Sequence, residues 1–211
     1  MTKVVAFMSM SLDGYVADAN DGVDEVFDWY GSGDVEVFTA GMKSSGMTFH
    51  VSPPSADHLR GLIAEVGAML TGRRTFERAD GWGGQHPWDI PAFVVTHQVP
   101  DGWPRPGSTV QFDTDGVESA VARAKSAAGS KAVGVHGAQT IQQCLDAGLL
   151  DEIHVDLAAV LLGAGVRLFD HLANTPVALG NPTVVTGVGV THLRYPVAKV
   201  QPASRSAQPA R

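Results

Sequence analysis

A single cysteine in 211 residues, Cys144, excludes an internal disulfide framework and a cysteine-based zinc cluster. Lying just before Leu145 in a helical pattern, it reads as a small core residue rather than a reactive thiol. Charge is sparse as well: 18% of residues are charged, the net charge is −7 and no run of Lys or Arg occurs. That balance argues against a nucleic-acid surface and leaves room for a small anion at a local arginine pair. No stretch approaches the roughly 20 apolar residues that a membrane-spanning helix needs. The opening apolar run, Val4-Val5-Ala6-Phe7-Met8, is too short for a secretion signal, so a cytoplasmic protein is expected. Also missing are G-x-G-x-x-G after the first strand, G-x-x-x-x-G-K-S/T, H-E-x-x-H and G-x-S-x-G.

What is present is a chain 44% hydrophobic, long enough to bury one substantial core. Val4 to Met8 is continuously apolar, as a central strand covered on both faces would be, and Asp13-Gly14 turns the chain before Tyr15-Val16-Ala17. Thr39 to Ser55 has little periodicity and reads as a long excursion or lid. From Asp57, the apolar residues Leu59, Leu62, Ile63 and Val66 mark an amphipathic helix, with Ser55 as its cap. The helix feeds a strand that ends at Gly72. Pro91 to Thr96 is another buried strand, and Val117, Ala120, Val121 and Ala124 form a helical face ahead of a strand from Ala132 to Val135. Gly148 stops a third helix, and a strand with alternating polar and apolar residues runs from Asp151 to Ala158. Thr183 to Val188 and Val190 to Val197 read as an antiparallel hairpin about Gly187-Val188-Gly189. Parallel crossovers followed by a hairpin imply an α/β fold in three layers, one mixed, mostly parallel sheet with flanking helices. Residues 1–198 form one domain and 199–211 a loose tail.

Two turns carry the chemistry. Gly72-Arg73-Arg74-Thr75 hands a strand to a helix, and so does His136-Gly137-Ala138-Gln139-Thr140. Backbone N–H groups at a helix start are unpaired and carry the positive end of the helix dipole, so each turn offers a seat for phosphate, and two seats point to a dinucleotide. Paired guanidinium contacts to phosphate are worth roughly 1.5–3 kcal/mol each. That is enough for about a tenfold preference for NADPH over NADH. The competing reading makes Arg73 and Arg74 surface ion-pair partners of Glu77 or Asp80 and Gly137 a mere relief for a tight bend. Thr96 and His97 end a strand where ligands gather in open α/β sheets. His154 and Asp156 share a strand face but lack a third ligand, so no metal is expected.

Taken together, Ser11-Leu12-Asp13-Gly14, Gly72-Arg73-Arg74-Thr75-Phe76, Val94-Val95-Thr96-His97, Gly137-Ala138 and Leu149-Leu150-Asp151-Glu152-Ile153 through Leu161-Leu162-Gly163-Ala164-Gly165 resemble the dihydrofolate reductase-like superfamily. The nearest likeness is to the reductase domain of the riboflavin-biosynthesis deaminase-reductase, in its stand-alone form, over roughly residues 3 to 198. The resemblance implies a sheet of about eight strands with NADPH across its edge. Arg73, Arg74 and Thr75 would then hold the ribose phosphate and pyrophosphate, Thr96 and His97 would flank the adenosine ribose, and Gly137, Ala138, Gln139 and Thr140 would receive the pyrophosphate. The family often has Gly-Gly where this chain has Gly137-Ala138. A substrate-binding carboxylate is implied, for which the chain offers Asp34, in a Trp29, Asp34, Phe38 spacing, or Asp57, with Asp13 a further pocket residue. The implied activity is hydride transfer to a small heterocycle such as a pteridine or aminouracil, and the rival is a nucleotide-binding protein of the same fold without turnover. Family relatives commonly pair, so a homodimer is expected.

Overall fold

The structure is a computed structural model, and it describes residues 2–198; the expected tail at 199–211 lies outside the described residues. In chain order the elements are β1 (Val4–Ser11), β2 (Tyr15–Ala17), α1 (Asp24–Phe27), β3 (Val35–Val37), α2 (Ala40–Ser44), β4 (Phe49–Val51) and α3 (Pro53–Glu65). Next come β5 (Val66–Gly72), α4 (Arg73–Arg78), β6 (Ala92–Val95), β7 (Val110–Asp113), α5 (Val117–Ala128) and β8 (Ala132–His136). The chain closes with α6 (Ala138–Asp146), β9 (Glu152–Ala158), β10 (Val166–Arg167), β11 (Thr183–Thr186) and β12 (Val190–Pro196). Eight strands form one sheet in the order β11-β12-β9-β1-β8-β5-β6-β7. All neighbours from β9 to β7 are parallel, while β12 runs antiparallel to β9 and to β11. This is the mixed, mostly parallel α/β sheet with a terminal hairpin that the sequence predicts.

Side-chain alternation sorts the strands into two layers. Val4, Ala6 and Met8 of β1, Leu70 of β5, Val133 and Val135 of β8 and Ile153 and Val155 of β9 pack with Ala120, Val121 and Ala124 of α5 and Ile141 and Cys144 of α6. Burial pushes the Cys144 thiol up to about 12, so it serves as core filler. The opposite side of the sheet meets α3 and the segments before and after it. Among the described residues no helix is long and apolar enough to cross a membrane.

Three details depart from expectation. The excursion from Thr39 to Ser55 is not structureless: α2 is capped by the Thr39 hydroxyl, and β4 pairs antiparallel with β3. Helix α3 begins at Pro53 with Ser52 as its N-cap residue, so Ser55 is not the cap. Proline suits the first helical position because its missing N–H would have had no partner there. Ser55 is instead turned into the interior. Strand β7, at the sheet edge, had no distinct signal in the sequence.

Candidate functional site

The two glycine turns come together because β5 and β8 are parallel neighbours, with Thr71 beside His136 in register. The Thr71 hydroxyl donates to the His136 carbonyl at 3.0 Å, tying the two strand ends. Helices α4 and α6 therefore start side by side, from Gly72 and Gly137, and no side chain caps either start. Gly137 has φ +93, and a Cβ built there would lie 2.6 Å from the Thr75 hydroxyl oxygen, inside the groove between the turns. A Cβ on Gly72 would lie 2.8 Å from the hydroxyl oxygen of Thr140. Only glycine at both positions lets the two turns pack this closely, with backbone rather than side chain facing between them. Ala138 and Thr140 are buried beneath the groove, while Gln139 is exposed.

The guanidinium groups flank the groove but already have partners. Arg73 donates from Nε to Glu77 at 2.6 Å and from Nη1 to the Gln98 carbonyl at 3.4 Å. Arg74 is paired with Asp21 rather than Asp80, and Arg78 reaches the same carboxylate at 3.9 Å. The Arg74 hydrogen bond holds the Asp21 carboxyl below the usual range. The loop carrying Asp21 is thus tethered across the start of α4. Buried Thr96 donates to the Gln98 carbonyl at 2.8 Å, shaping the turn after β6, and His97 is exposed on that turn.

The three carboxylates named from sequence occupy unlike places. Asp13 clamps the β1–β2 turn to the loop before β10: it accepts from the Ser11 hydroxyl at 2.6 Å, from Gly163 N–H at 2.7 Å and from Leu162 N–H at 3.1 Å. The Ser11 bond first, then those backbone N–H groups, lower its carboxyl to about 2. Asp34 is exposed just before β3. Asp57 faces solvent on α3, 3.8 Å from Arg60. A cleft of about 490 Å³ lies elsewhere, at the end of β9, lined by Asp24, Glu25, Asp28, Trp29, Val160 and Val188 among others. Its acids come from α1 and the turn after it. Among the described residues no Lys or Arg lines it.

Sequence reasoning missed a polar layer under α3. Trp29 donates from Nε1 to the Ser9 hydroxyl at 3.1 Å. His192 shares a hydrogen bond between Nδ1 and Asp156 Oδ1 at 2.7 Å and another between Nε2 and the Ser55 hydroxyl at 2.9 Å. Four residues earlier on β9, Glu152 gathers Lys3 at 2.6 Å, Arg194 at 2.5 Å and His154 at 3.1 Å. Burial alone would raise the Glu152 carboxyl, yet these hydrogen bonds bring it down to about 2. Toward β8, His136 tilts against Phe7 and Trp88 stacks on the other side of that ring, at centroid distances of 5.3 Å each. The aromatic segment after α4 therefore lies on the sheet rather than forming a free surface turn. Burial keeps His136 neutral, with its imidazole down at about 4, and His86 at about 3. The signal for this layer was the alternation of Glu152, His154 and Asp156, repeated by His192 and Arg194. Polar residues at every second position of a central strand face a common layer.

The sequence profile of the RibD C-terminal domain matches residues 2–205. The uncharacterised protein YwjB of Bacillus subtilis is 23% identical over 172 residues, spanning 82% of this chain and 85% of that protein. The structure of a riboflavin biosynthesis reductase from Saccharomyces cerevisiae superposes with a TM-score of 0.61 at 14% identity, covering 93% of this chain and 90% of that one. Dihydrofolate reductase from Enterococcus faecalis, in complex with NADP(H), superposes with a TM-score of 0.53 at 11% identity, covering 92% and 96%. The order of the eight strands and the near-complete profile match lead to one assignment: the chain belongs to the RibD C-terminal domain family and has the dihydrofolate reductase-like fold.

Proposed function

We propose that the chain is an NADPH-dependent reductase of a small, amine-bearing heterocycle. The single observation that carries this reading is the side-by-side placing of two uncapped helix starts at Gly72 and Gly137, packed so closely that a Cβ at either glycine would meet a threonine hydroxyl of the other turn. Those starts suit the pyrophosphate. Arg73 and Arg74 flank the groove for the ribose phosphate, exchanging Glu77 and Asp21 for the stronger anion. Thr75 and Thr140 offer hydroxyls, and Thr96 with His97 borders the adenosine side. The cofactor, when bound, supplies a hydride for a C=N or C=O bond, and the protein orients and shields it.

The acidic cleft is the substrate side of this reading. Strand β1 separates the Gly137 turn from the end of β9, so the two lie about 10 Å apart across the sheet and about 10 Å apart along the strands. Asp24, Glu25 and Asp28 hydrogen-bond ring amino groups, a role that the exposed Asp34 and Asp57 fill less well from outside the cleft. The absence of Lys and Arg from the lining among the described residues favours a ring without a phosphate. This separates the substrate from the phosphoribosyl aminouracil of riboflavin synthesis.

The test is oxidation of NADPH, followed by its near-ultraviolet absorbance, against pterins and against aminouracils with and without ribose phosphate. Turnover of an unphosphorylated ring, with NADPH preferred over NADH about tenfold, is the expected result. Replacing both Arg73 and Arg74 by Ala should remove that preference. Saturable NADPH binding with no turnover of any compound would instead make the chain a nucleotide-binding protein. Absence of NADPH binding overturns the reading entirely.

A further inference from the structure

His154 and Asp156 share a strand face in the sequence, but the fold gives them different partners. His154 turns to Glu152, while Asp156 meets His192 from the adjacent strand and His58 from the helix above. We propose that His58, Asp156 and His192 form a binding site for a divalent transition-metal cation of the zinc type. This revises the expectation that the chain lacks a metal site, and it stands whether or not the reductase reading holds.

The three residues come from α3, β9 and β12, and one ligand atom of each lies within 4.8 Å of the others. Asp156 Oδ1 is 2.7 Å from His192 Nδ1 and 3.1 Å from His58 Nε2. Metal–ligand bonds of about 2.1 Å place neighbouring ligand atoms about 3.0–3.4 Å apart, so the trio needs shifts of only a few tenths of an ångström on these two edges. Two imidazoles and one carboxylate favour zinc, cobalt or iron over calcium and magnesium, which take oxygen ligands.

Two further observations point the same way. His58 Nε2 lies near the carboxylate, yet it makes no hydrogen bond and is sealed from solvent. A buried ring nitrogen without a hydrogen-bond partner is an available ligand. His192 is already oriented, because its far nitrogen, Nε2, faces the Ser55 hydroxyl at 2.9 Å, leaving Nδ1 toward the carboxylate. A second-sphere hydrogen bond of this kind fixes the tautomer of a metal-binding histidine. Ser55, His192 and Asp156 also have the connectivity of a nucleophilic triad, but Ser55 is fully buried within α3 and no substrate reaches it. The imidazoles of His58 and His192 are stacked at 4.0 Å, so His58, the most exposed member of the trio, turns out of the stack as the ion enters. The bound ion then pins α3 to the β9–β12 pair.

The test uses the full chain, free of any affinity tag and stripped with a chelator, titrated with Zn²⁺ by calorimetry and with Co²⁺ by visible absorption. One saturable equivalent, ligand-field bands for cobalt and a raised melting temperature are expected. His58→Ala should weaken Zn²⁺ binding by more than about tenfold with circular dichroism unchanged, and Ser55→Ala by about tenfold through the loss of second-sphere support. Should either variant unfold, imidazole nitrogen resonances of the unaltered protein decide the matter, because Zn²⁺ must shift those of His58 and His192. The proposal is overturned by the absence of a saturable 1:1 event. It is equally overturned if the resonances that move belong to the exposed His50, His97 or His171, or if affinity is unchanged in a folded His58→Ala.

Discussion

On β1, Val4, Ala6 and Met8 face α5 and α6, whereas Phe7 and Ser9 face α3 and the aromatic segment after α4. The first layer is closed with Ala, Val, Ile, Leu, Met, Phe and Cys. The second mixes apolar contacts with buried His192, Asp156, His154 and Glu152; His192, Asp156 and Glu152 are bound to partners from other elements, and His154 to Glu152 of its own strand. One backbone thus supports two interiors of different character. The apolar layer needs only volume and period, and its energy spreads over many weak contacts. The polar layer is held by a few directed bonds, so it specifies geometry and exposes the fold to pH.

The sharpest contrast comes from truncating each layer. Phe93→Ala, at a site 2% exposed, removes a large ring from the apolar layer and should cost about 3–5 kcal/mol. Urea denaturation should show a lower midpoint with an unchanged slope. A cost below about 1 kcal/mol would mean that this layer is loosely packed and that the comparison fails.

Acid should act on the polar layer rather than on the apolar one. The Glu152 carboxyl, near 4.5 unfolded, is held at about 2 in the fold, so its contribution is complete above pH 4.5 and is lost as pH falls toward 2. That shift corresponds to about 3 kcal/mol. Melting temperatures should drop across this window, and Glu152→Gln should flatten the drop. His136 has the same sign: neutral in the fold with its imidazole at about 4, it favours the folded state above pH 6.5 and loses that contribution as pH falls to 4. An unchanged acid profile in Glu152→Gln would move the titration elsewhere.

Smaller effects separate the candidate carboxylates. Asp28→Asn, in the acidic cleft, should raise KM for the heterocycle by about tenfold with little change in stability. Asp57→Asn should alter stability by less than about 0.5 kcal/mol and leave turnover intact, because its ion pair with Arg60 is exposed and 3.8 Å long. Loss of turnover in Asp57→Asn would return the substrate to the α3 side.

Much of the apolar layer was legible. Continuous runs such as Val4 to Met8 and the 3.6-residue spacing of Val117, Ala120, Val121 and Ala124 are legible because period is a local property. The two glycine turns were legible for the same reason, since a strand, a glycine and a helix follow one another in sequence. Their adjacency was not, because it depends on β5 and β8 being neighbours although 64 positions separate Gly72 from His136 at the end of β8. Ser55 read as a cap because serine so often is one, yet Pro53 had already started the helix and freed Ser55 for His192. Asp57 carried the expected charge at the wrong angle, while its neighbour His58 points inward.

By itself the sequence determined which segments become strands and helices, which faces are apolar, and that two backbone turns present their N–H groups at strand ends. Local sterics and hydrophobic period dictate these within a few residues. Tertiary structure alone decided that the turns form one groove, that three acids from α1 and the turn after it border a cleft, and that Asp156 lies between two histidines. Those outcomes depend on strand order and on contacts between residues up to 137 positions apart, where no local preference operates.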